Sequence, residues 1–575
     1  MIVYGGRPRR TRTAGLIEEL AATAGTAGGA LGLLLDAGAL AQGLLDADFA
    51  RRGHDEDSAL AAACGALTLA AVQAWQGAEA GLAGAPAAAG VRAALAALAA
   101  LELPAEVDVV EPEGYAFYAL YPEMVAAAAA ELPESELVVI GVRSIGTSLA
   151  AVVAAVRGAA APVTVRPVGH PFARELRLGP RLTARLRAAA PRATFAVVDE
   201  GPGLSGSSFG AVADWLEGNG VAPARLRFLP SHAGAPGRRA SARHRRRWEE
   251  AARHVVEFEA AVLRGPRPLA ARLAADGLAP DGGLVDLAGG RWRALRDPAA
   301  LTWPPANPPQ ERRKYLLRHG GRALVAKFAG LGRPGERQLA RARRLASRGL
   351  IPAVHGLCHG FLVSEWLEDA RPLPPAAARD RAALADALAR HLAAVAQEAP
   401  PAPGAAPVEL LAMARANTAE ALGEALAGEL DALDEHVPAL ARVARPVATD
   451  NRLHAWEWLV TPGGALLKTD ALEHHAAHDL IGAQDLAWDL VGAAVELELA
   501  PAEEDALYAA VARAAPVPRN PAWRRFYGVC YLAFQLGAYA MAAAGQRGVD
   551  DAEAARLDAA AARYARHLGR LLGVS

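Results

Sequence analysis

The stretch FAVVDEGPGLSGSSFGAVADWL, residues 195–216, runs from four apolar residues through two acids and a Gly/Ser-rich segment into a helical pattern. A short apolar run bounded by turn residues reads as a buried strand, and the run after the turn as a helix. That order sets main-chain amides at a helix start beside serine hydroxyls, a neutral cradle for a phosphate dianion. Asp199 and Glu200 close the strand, where they can face ribose hydroxyls or a Mg2+ ion carried by the same ligand.

Working outward, LVVIGVRSIGTSLAAVVAA (residues 137–155) repeats the theme of strand, polar Gly-containing turn and helix. Between the two loops, the residues Arg166, His170 and Arg174 put positive charge on a connecting segment. Short β-branched runs at 137–142, 163–168, 195–198 and 225–229 alternate with Ala-rich helical stretches, as in a parallel α/β sheet. In this order the residues resemble type I phosphoribosyltransferases over about 107–237, with a spacer at 201–204 one residue longer than usual. The resemblance implies that PRPP binds here. Ser205, Gly206, Ser207 and Ser208 would then hold its 5′-phosphate, and Arg143, Ser144, Gly146 and Thr147 its pyrophosphate. Arg166, His170 and Arg174 would form a flap that closes over the leaving anion. Asp199 and Glu200 would be the catalytic acids on the ribose, Asp199 also meeting the metal. Tyr115, Phe117, Tyr118 and Tyr121 read either as a stacking surface for a base or as core aromatics bounding a sheet.

Further along, RKYLLRHGGRALVAKFAG (313–330) alternates like a hairpin turning at His319-Gly320-Gly321, with Lys327 near the end of its second strand. Lysine occurs only at Lys314, Lys327 and Lys468 among 61 Lys+Arg. A compact ammonium cannot be exchanged for a planar guanidinium inside a tight site, so the lysines are suspects for function. A helix follows with Glu336 in its first turn, placed to pair with Lys327, and FLVSEWLEDARPL (361–373) reads as a strand leaving into a hinge that contains Glu365. Asp450 and Asp470 then flank a hairpin turning at Gly463-Gly464. One acid is placed to orient a hydroxyl nucleophile and the other to carry Mg2+.

This order resembles the aminoglycoside-phosphotransferase branch of the protein-kinase-like fold, over about 284–575. The resemblance implies Asp450 as the catalytic-loop acid, Asp470 as the metal acid, and Lys327 with Glu336, Glu365 and Lys468 as the ATP-binding set. QDLAWDL (484–490) is similar to the segment packed beneath the catalytic loop. Three positions depart from the pattern: Ala448 replaces the usual histidine, no Gly-rich loop precedes Lys327, and Ala455 stands where the metal-binding asparagine is customary. Glu457 offers a carboxylate to Mg2+ two residues later. Lys468 either neutralises phosphate or pairs with Glu457. His454, His474, His475 and His478 suggest zinc but lack a ligand spacing, and read as structural histidines.

The 575-residue chain is long enough for three or four domains. Lys+Arg 61 against Asp+Glu 62 leaves a net charge of -1, without the footprint of a general nucleic-acid or membrane binder. Cys64, Cys358 and Cys530 are too few and scattered for a disulfide framework, which predicts a reducing, cytoplasmic setting. Two charge-free stretches, 58–77 and 526–546, are Ala/Gly-rich and read as buried helices rather than membrane spans. His54, Asp55, Glu56 and Asp57 read as a solvated loop and helix cap rather than a cation site. The expected fold class is multidomain α/β and α+β. It comprises a helical N-terminal region (1–105), a parallel-sheet phosphoribosyltransferase-like domain (106–258), a linker with the start of an N-lobe (259–310) and a bilobal kinase-like domain (311–575). The expected function is bifunctional: phosphoribosyl transfer from PRPP, and transfer of the γ-phosphoryl of ATP to a hydroxyl, with Mg2+, on small-molecule acceptors. An oligomer is compatible with this. The alternative is a PRPP/ATP sensor without turnover.

Overall fold

The structure, a computed structural model, describes residues 8–26, 29–82, 85–297, 300, 302–373, 381–400, 402–477, 481–515, 517 and 520–573. They form two compact units, Pro8–Ala279 with Gly330–Pro334, and Pro280–Ala329 with Gly335–Ser575.

The first unit opens with β1 (Arg9–Arg12) and four helices, α1 (Thr13–Thr23), α2 (Ala30–Arg52), α3 (Ala59–Glu79) and α4 (Ala85–Ala99). Then come β2 (Glu106–Val109), α5 (Pro122–Ala130), β3 (Leu137–Val142), α6 (Gly146–Arg157), β4 (Val163–Val165) and a hairpin of β5 (Val168–His170) and β6 (Ala173–Glu175). Next are α7 (Pro180–Ala189), β7 (Thr194–Val198), α8 (Ser207–Gly218), β8 (Leu226–Leu229) and β9 (Ala252–Arg253), with further helical segments at Ala242–Glu250 and Leu269–Ala275. The strands pair in the order β4-β3-β7-β8-β9, all parallel. Helices cover a parallel sheet on both faces, which is why β7 is buried at every residue and apolar from Phe195 to Val198. From β3 the chain moves outward to β4, then crosses back to β7 on the other side. The carboxyl ends of β3 and β7 therefore border the crevice where such sheets bind ligands.

The N-terminal helices are not a separate body. Leu34, Leu44, Leu67 and Val91 share one apolar cluster with Val107 and with Ala151 and Val152 of α6. The expected boundary at 105/106 thus runs through a packed core. Burial of these small side chains against α6 is what holds α2 and α3 over the sheet.

The sheet of the second unit begins with β10 (Val285–Asp286), inside the segment expected to hold the linker and the start of an N-lobe, and β10 pairs with β11 (Lys314–His319). β11 turns into β12 (Arg322–Phe328), followed by the helix α9 (Arg333–Ser347), β13 (Val354–Cys358) and β14 (Phe361–Glu365). This antiparallel sheet has the order β10-β11-β12-β14-β13, and its register sets Lys327 opposite Lys314 on one side and Leu362 on the other. The rest is mainly helical: α10 (Arg381–Val395), α11 (Pro407–Leu422), α12 (Ala487–Glu496), α13 (Pro521–Gln546) and α14 (Asp551–Leu571). Two short ribbons interrupt them, β15 (Arg371–Pro372) with β16 (Trp458–Val460) and β17 (Leu466–Lys468), and Pro446–Val447 with Gln484–Asp485. Trp488, Phe526, Tyr531 and Tyr564 anchor its largest apolar cluster.

Among the described residues three helices, α2, α3 and α13, are long and apolar enough to cross a membrane by length and composition, and 56%, 39% and 72% of their apolar windows are buried. The sequence reading named segments inside the last two but not α2, whose Asp36, Asp46 and Asp48 mask the pattern.

Gly141 sits where β3 passes closest to α6. A Cβ there would run into the Gly146 carbonyl and come within 2.8 Å of Ala150 Cβ, so helix and strand pack at backbone distance only because the residue is glycine. Gly141→Ala is expected to lower stability by about 1–3 kcal/mol, the usual range for overpacking, read as a lower urea midpoint with unchanged slope.

Candidate functional site

In the second unit β12 carries Lys327 inward to Asp470, which lies two residues beyond β17. The Lys327 ammonium pairs with Asp470 and, at 2.5 Å, with Glu473 Oε1. Burial opposes the charge on Lys327, but the two carboxylates outweigh it and raise its pKa. Asp470 is pushed up by burial and pulled down harder by Lys327, His474 and Lys314, so it stays well below the usual carboxylate range. All three lysines of the chain act on this carboxylate, since Lys468 is in turn held charged by Asp450, Glu457 and Asp470. Asp470 has φ 53° and Asn451 φ 62°, the left-handed region that non-glycine residues enter rarely, Asn and Asp most readily.

Asp450 is 1% exposed. Its Oδ2 lies 3.0 Å from His391 Nε2 and its Oδ1 3.4 Å from Lys468 Nζ. Burial pushes its carboxyl up, yet Lys468, His391 and His474 hold it well below the ordinary range. The loop bearing it is fastened from below by Asp489 in the first turn of α12, which accepts the amide N–H groups of Asp450 (2.7 Å) and Asn451 (2.9 Å). This is the packing expected of QDLAWDL. Burial and the Asp450 charge push Asp489 up to about 7. His474 joins the two acids, its Nδ1 2.8 Å from the Asp450 carbonyl and its Nε2 3.7 Å from Asp470 Oδ1.

Two expectations for this site are corrected. Glu336 is exposed in the first turn of α9, and the second carboxylate on Lys327 is Glu473. The sequence reading missed Glu473 because it follows Asp470 in a loop rather than lying on a helix. Glu457 is taken by Lys468 rather than open to a divalent ion, its Oε2 receiving Lys468 Nζ at 2.8 Å. Asp470, whose side chain is 32% exposed, keeps an open side that could meet a cation. Glu365 ends β14, half-buried and in register with Leu324. No trio of His, Cys, Asp or Glu able to hold a metal occurs among the described residues. His478 lies outside them. His391 and Arg341 were also missed, because each sits mid-helix without a motif; Arg341 donates to the Ala448 carbonyl at 2.8 Å, beside the position where the family pattern has histidine.

In the first unit Asp199 and Glu200 follow β7 at the crevice. Burial pushes Asp199 up to about 7, against the N–H of Glu200 and the charges of Arg174 and Arg166. Burial, Glu113 and Asp199 push Glu200 up to about 8. Gly206 adopts φ 66° just before α8. The Ser205 and Ser207 hydroxyls both donate to the Pro171 carbonyl, at 3.2 and 2.7 Å, in the turn of the β5-β6 hairpin. Ser208 and Ser144 are half-buried, and Gly146 lies so close to β7 that a Cβ would stand 2.6 Å from the Val198 carbonyl. Thr147 is buried, and its Oγ1 has no hydrogen-bond partner. His170 is exposed, with its ring edge-on to Phe172 at 5.3 Å.

Arg143 is corrected as a pyrophosphate ligand. Its guanidinium, 1% exposed, pairs with Asp46 Oδ1 at 2.9 Å and with Asp55. Arg166 bonds the same Asp46, while its amide donates to Asp55 Oδ2 at 2.7 Å. The loop 54–57 is therefore not solvated; Asp55 is 4% exposed and Glu56 Oε1 accepts the Leu182 N–H of α7 at 2.9 Å. Tyr115 and Tyr121 are core residues, whereas Tyr118 is exposed.

No family model matches the chain, and no curated protein matches it. Solved structures do. The likeness is to small-molecule kinases. A choline kinase from Streptococcus pneumoniae is 19% identical, covers 44% of this chain and 89% of its own, with a TM-score of 0.30. A choline/ethanolamine kinase family protein from Mesorhizobium loti is 17% identical over 51% of this chain and 92% of its own, with a TM-score of 0.35. A macrolide 2'-phosphotransferase type I gives 15% identity, 52% and 97%, and a TM-score of 0.33. Scores this low carry neither activity nor residue roles across.

The buried acids make stability fall with pH. Asp199 at about 7 and Glu200 at about 8 hold protons more tightly folded than unfolded, where carboxylates titrate near 4. Their stabilising protons are lost as pH rises from about 5 to about 8. The melting temperature of the first transition is expected to drop over that window, and Asp199→Asn with Glu200→Gln to flatten the slope.

Proposed function

We propose that the second unit transfers the γ-phosphoryl of ATP to a hydroxyl of a small molecule. The observation that carries this reading is the pairing of a strand lysine, Lys327, with Asp470, brought together across 143 residues of sequence. An ammonium so placed can leave its carboxylates for nucleotide phosphates, and the freed Asp470 can meet a divalent ion arriving with them, which would neutralise phosphate charge. Asp450 is kept ionised, the state that orients a hydroxyl toward the γ-phosphorus. The acceptor oxygen would bond to phosphorus as the bond to the ADP oxygen breaks.

We infer further that the first unit binds PRPP at its crevice and transfers the phosphoribosyl group. The strand order, the acid pair after β7 and the hairpin over the serine loop support this reading. Asp199 and Glu200 would release their protons to solvent when a ligand brings ribose hydroxyls and a cation. Pro171 would have to release Ser205 and Ser207 for the 5′-phosphate.

The second reading, nucleotide binding without turnover, is favoured by the near-complete burial of Asp450 beneath Lys468 and His391. Differential scanning with ATP and with PRPP, followed by assays of phosphoryl transfer and pyrophosphate release, separates the two. Turnover requires both a ligand-induced rise in melting temperature and release with some hydroxyl acceptor; binding alone selects the sensor. Lys327→Met is expected to weaken ATP binding at least about tenfold, or about 1.4 kcal/mol, without altering any PRPP response. Unchanged ATP affinity would remove the basis of the kinase reading.

A further inference from the structure

Lys468 is wholly buried at the end of β17. Its ammonium is surrounded by oxygen: Glu457 Oε2 at 2.8 Å, Asp450 Oδ1 at 3.4 Å, and the main-chain carbonyls of Thr469 at 2.8 Å and Asp470 at 3.4 Å. Two carboxylates and two carbonyls are the ligand set of a hard divalent cation, not of an ordinary surface ion pair. The chain uses arginine for nearly every other positive charge, but a planar five-donor fork cannot stand in the middle of converging oxygens. Nor does stability explain the arrangement, because desolvating a lysine and two acids gains little over apolar packing of the same volume.

We propose that the Lys468 ammonium is a built-in cation, occupying the seat that a divalent ion would take between Asp450 and Glu457. The seat is defined by geometry alone. Its consequence rests on the nucleotide reading above: the charge between Asp450 and Glu457 is supplied covalently, and Asp470, once Lys327 turns to phosphate, is the acid left to meet an exchangeable ion. Lys468 is then a positioning residue, since it holds Asp450 ionised and oriented without needing to touch a ligand.

The test needs no nucleotide, so it stands apart from the outcome of the ATP experiments. Mn2+ binding to the full chain is followed by electron paramagnetic resonance for wild type, Glu457→Gln, Lys468→Gln and the double variant. Lys468→Gln is expected to acquire one additional Mn2+ per chain, at least about tenfold tighter than any wild-type site, and the double variant to lose it. Glu457→Gln alone is expected to bind Mn2+ as wild type does. Loss of Mn2+ affinity in Glu457→Gln would overturn the proposal by making Glu457 a metal ligand. A folded Lys468→Gln that gains no Mn2+ would overturn it by reducing Lys468 to a plain ion pair. Where Lys468→Gln folds only when Mn2+ is present, that rescue is the supporting result. If it folds under neither condition, the comparison of Glu457→Gln with wild type decides.

Discussion

A carboxylate taken out of water must find a cation or several N–H donors, or else take up a proton. The second unit is organised around the first solution. Asp450, Glu457, Asp470 and Glu473 converge from a loop, a turn and two sides of a hairpin, and each is matched by Lys468, Lys327 or Arg312. Asp489 takes the second solution in part, accepting two amide N–H groups with a carboxyl pushed up to about 7. Removing Lys468 would leave Asp450 and Glu457 buried without their shared ammonium, a loss that costs several kcal/mol in such settings. Loop, hairpin and sheet are consequently locked to one another by electrostatics as much as by packing.

The first unit divides its acids differently. Asp46 and Asp55, supplied by α2 and the loop after it, neutralise Arg143 and Arg166 and bind the N-terminal helices to the β3 loop. Among the described residues Asp199 and Glu200 have no arginine or lysine within hydrogen-bonding reach, and burial raises both. Both acids sit after β7 at the crevice, where burial raises them, and the Ser205 and Ser207 hydroxyls beside α8 donate to the Pro171 carbonyl.

Much of this was legible in residue order. The strands at 137–142 and 195–198 and the hairpin around Gly320 appear within a residue or two of their expected places, because an apolar run between turn residues has few alternatives. The scarcity of lysine singled out Lys327 and Lys468, and the structure sets both against Asp470, one at its carboxylate and one at its main-chain carbonyl. Arg143 misled for a definite reason: a loop arginine beside a Gly/Ser turn looks the same whether it meets an anionic ligand or an aspartate from a helix about ninety residues upstream, and only the fold brings Asp46 and Asp55 to it. Glu336 misled likewise, because helical register cannot reveal that a loop acid reaches the lysine first.

The chain order by itself determined the types of element, the two acid pairs and the lysines that matter, since these follow from local periodicity and from side-chain chemistry that admits no substitute. Tertiary structure decided the pairings. Which cation neutralises which acid depends on distances between segments far apart in sequence, and Coulomb attraction in a dry interior rewards whichever partner the packed backbone delivers within about 3 Å.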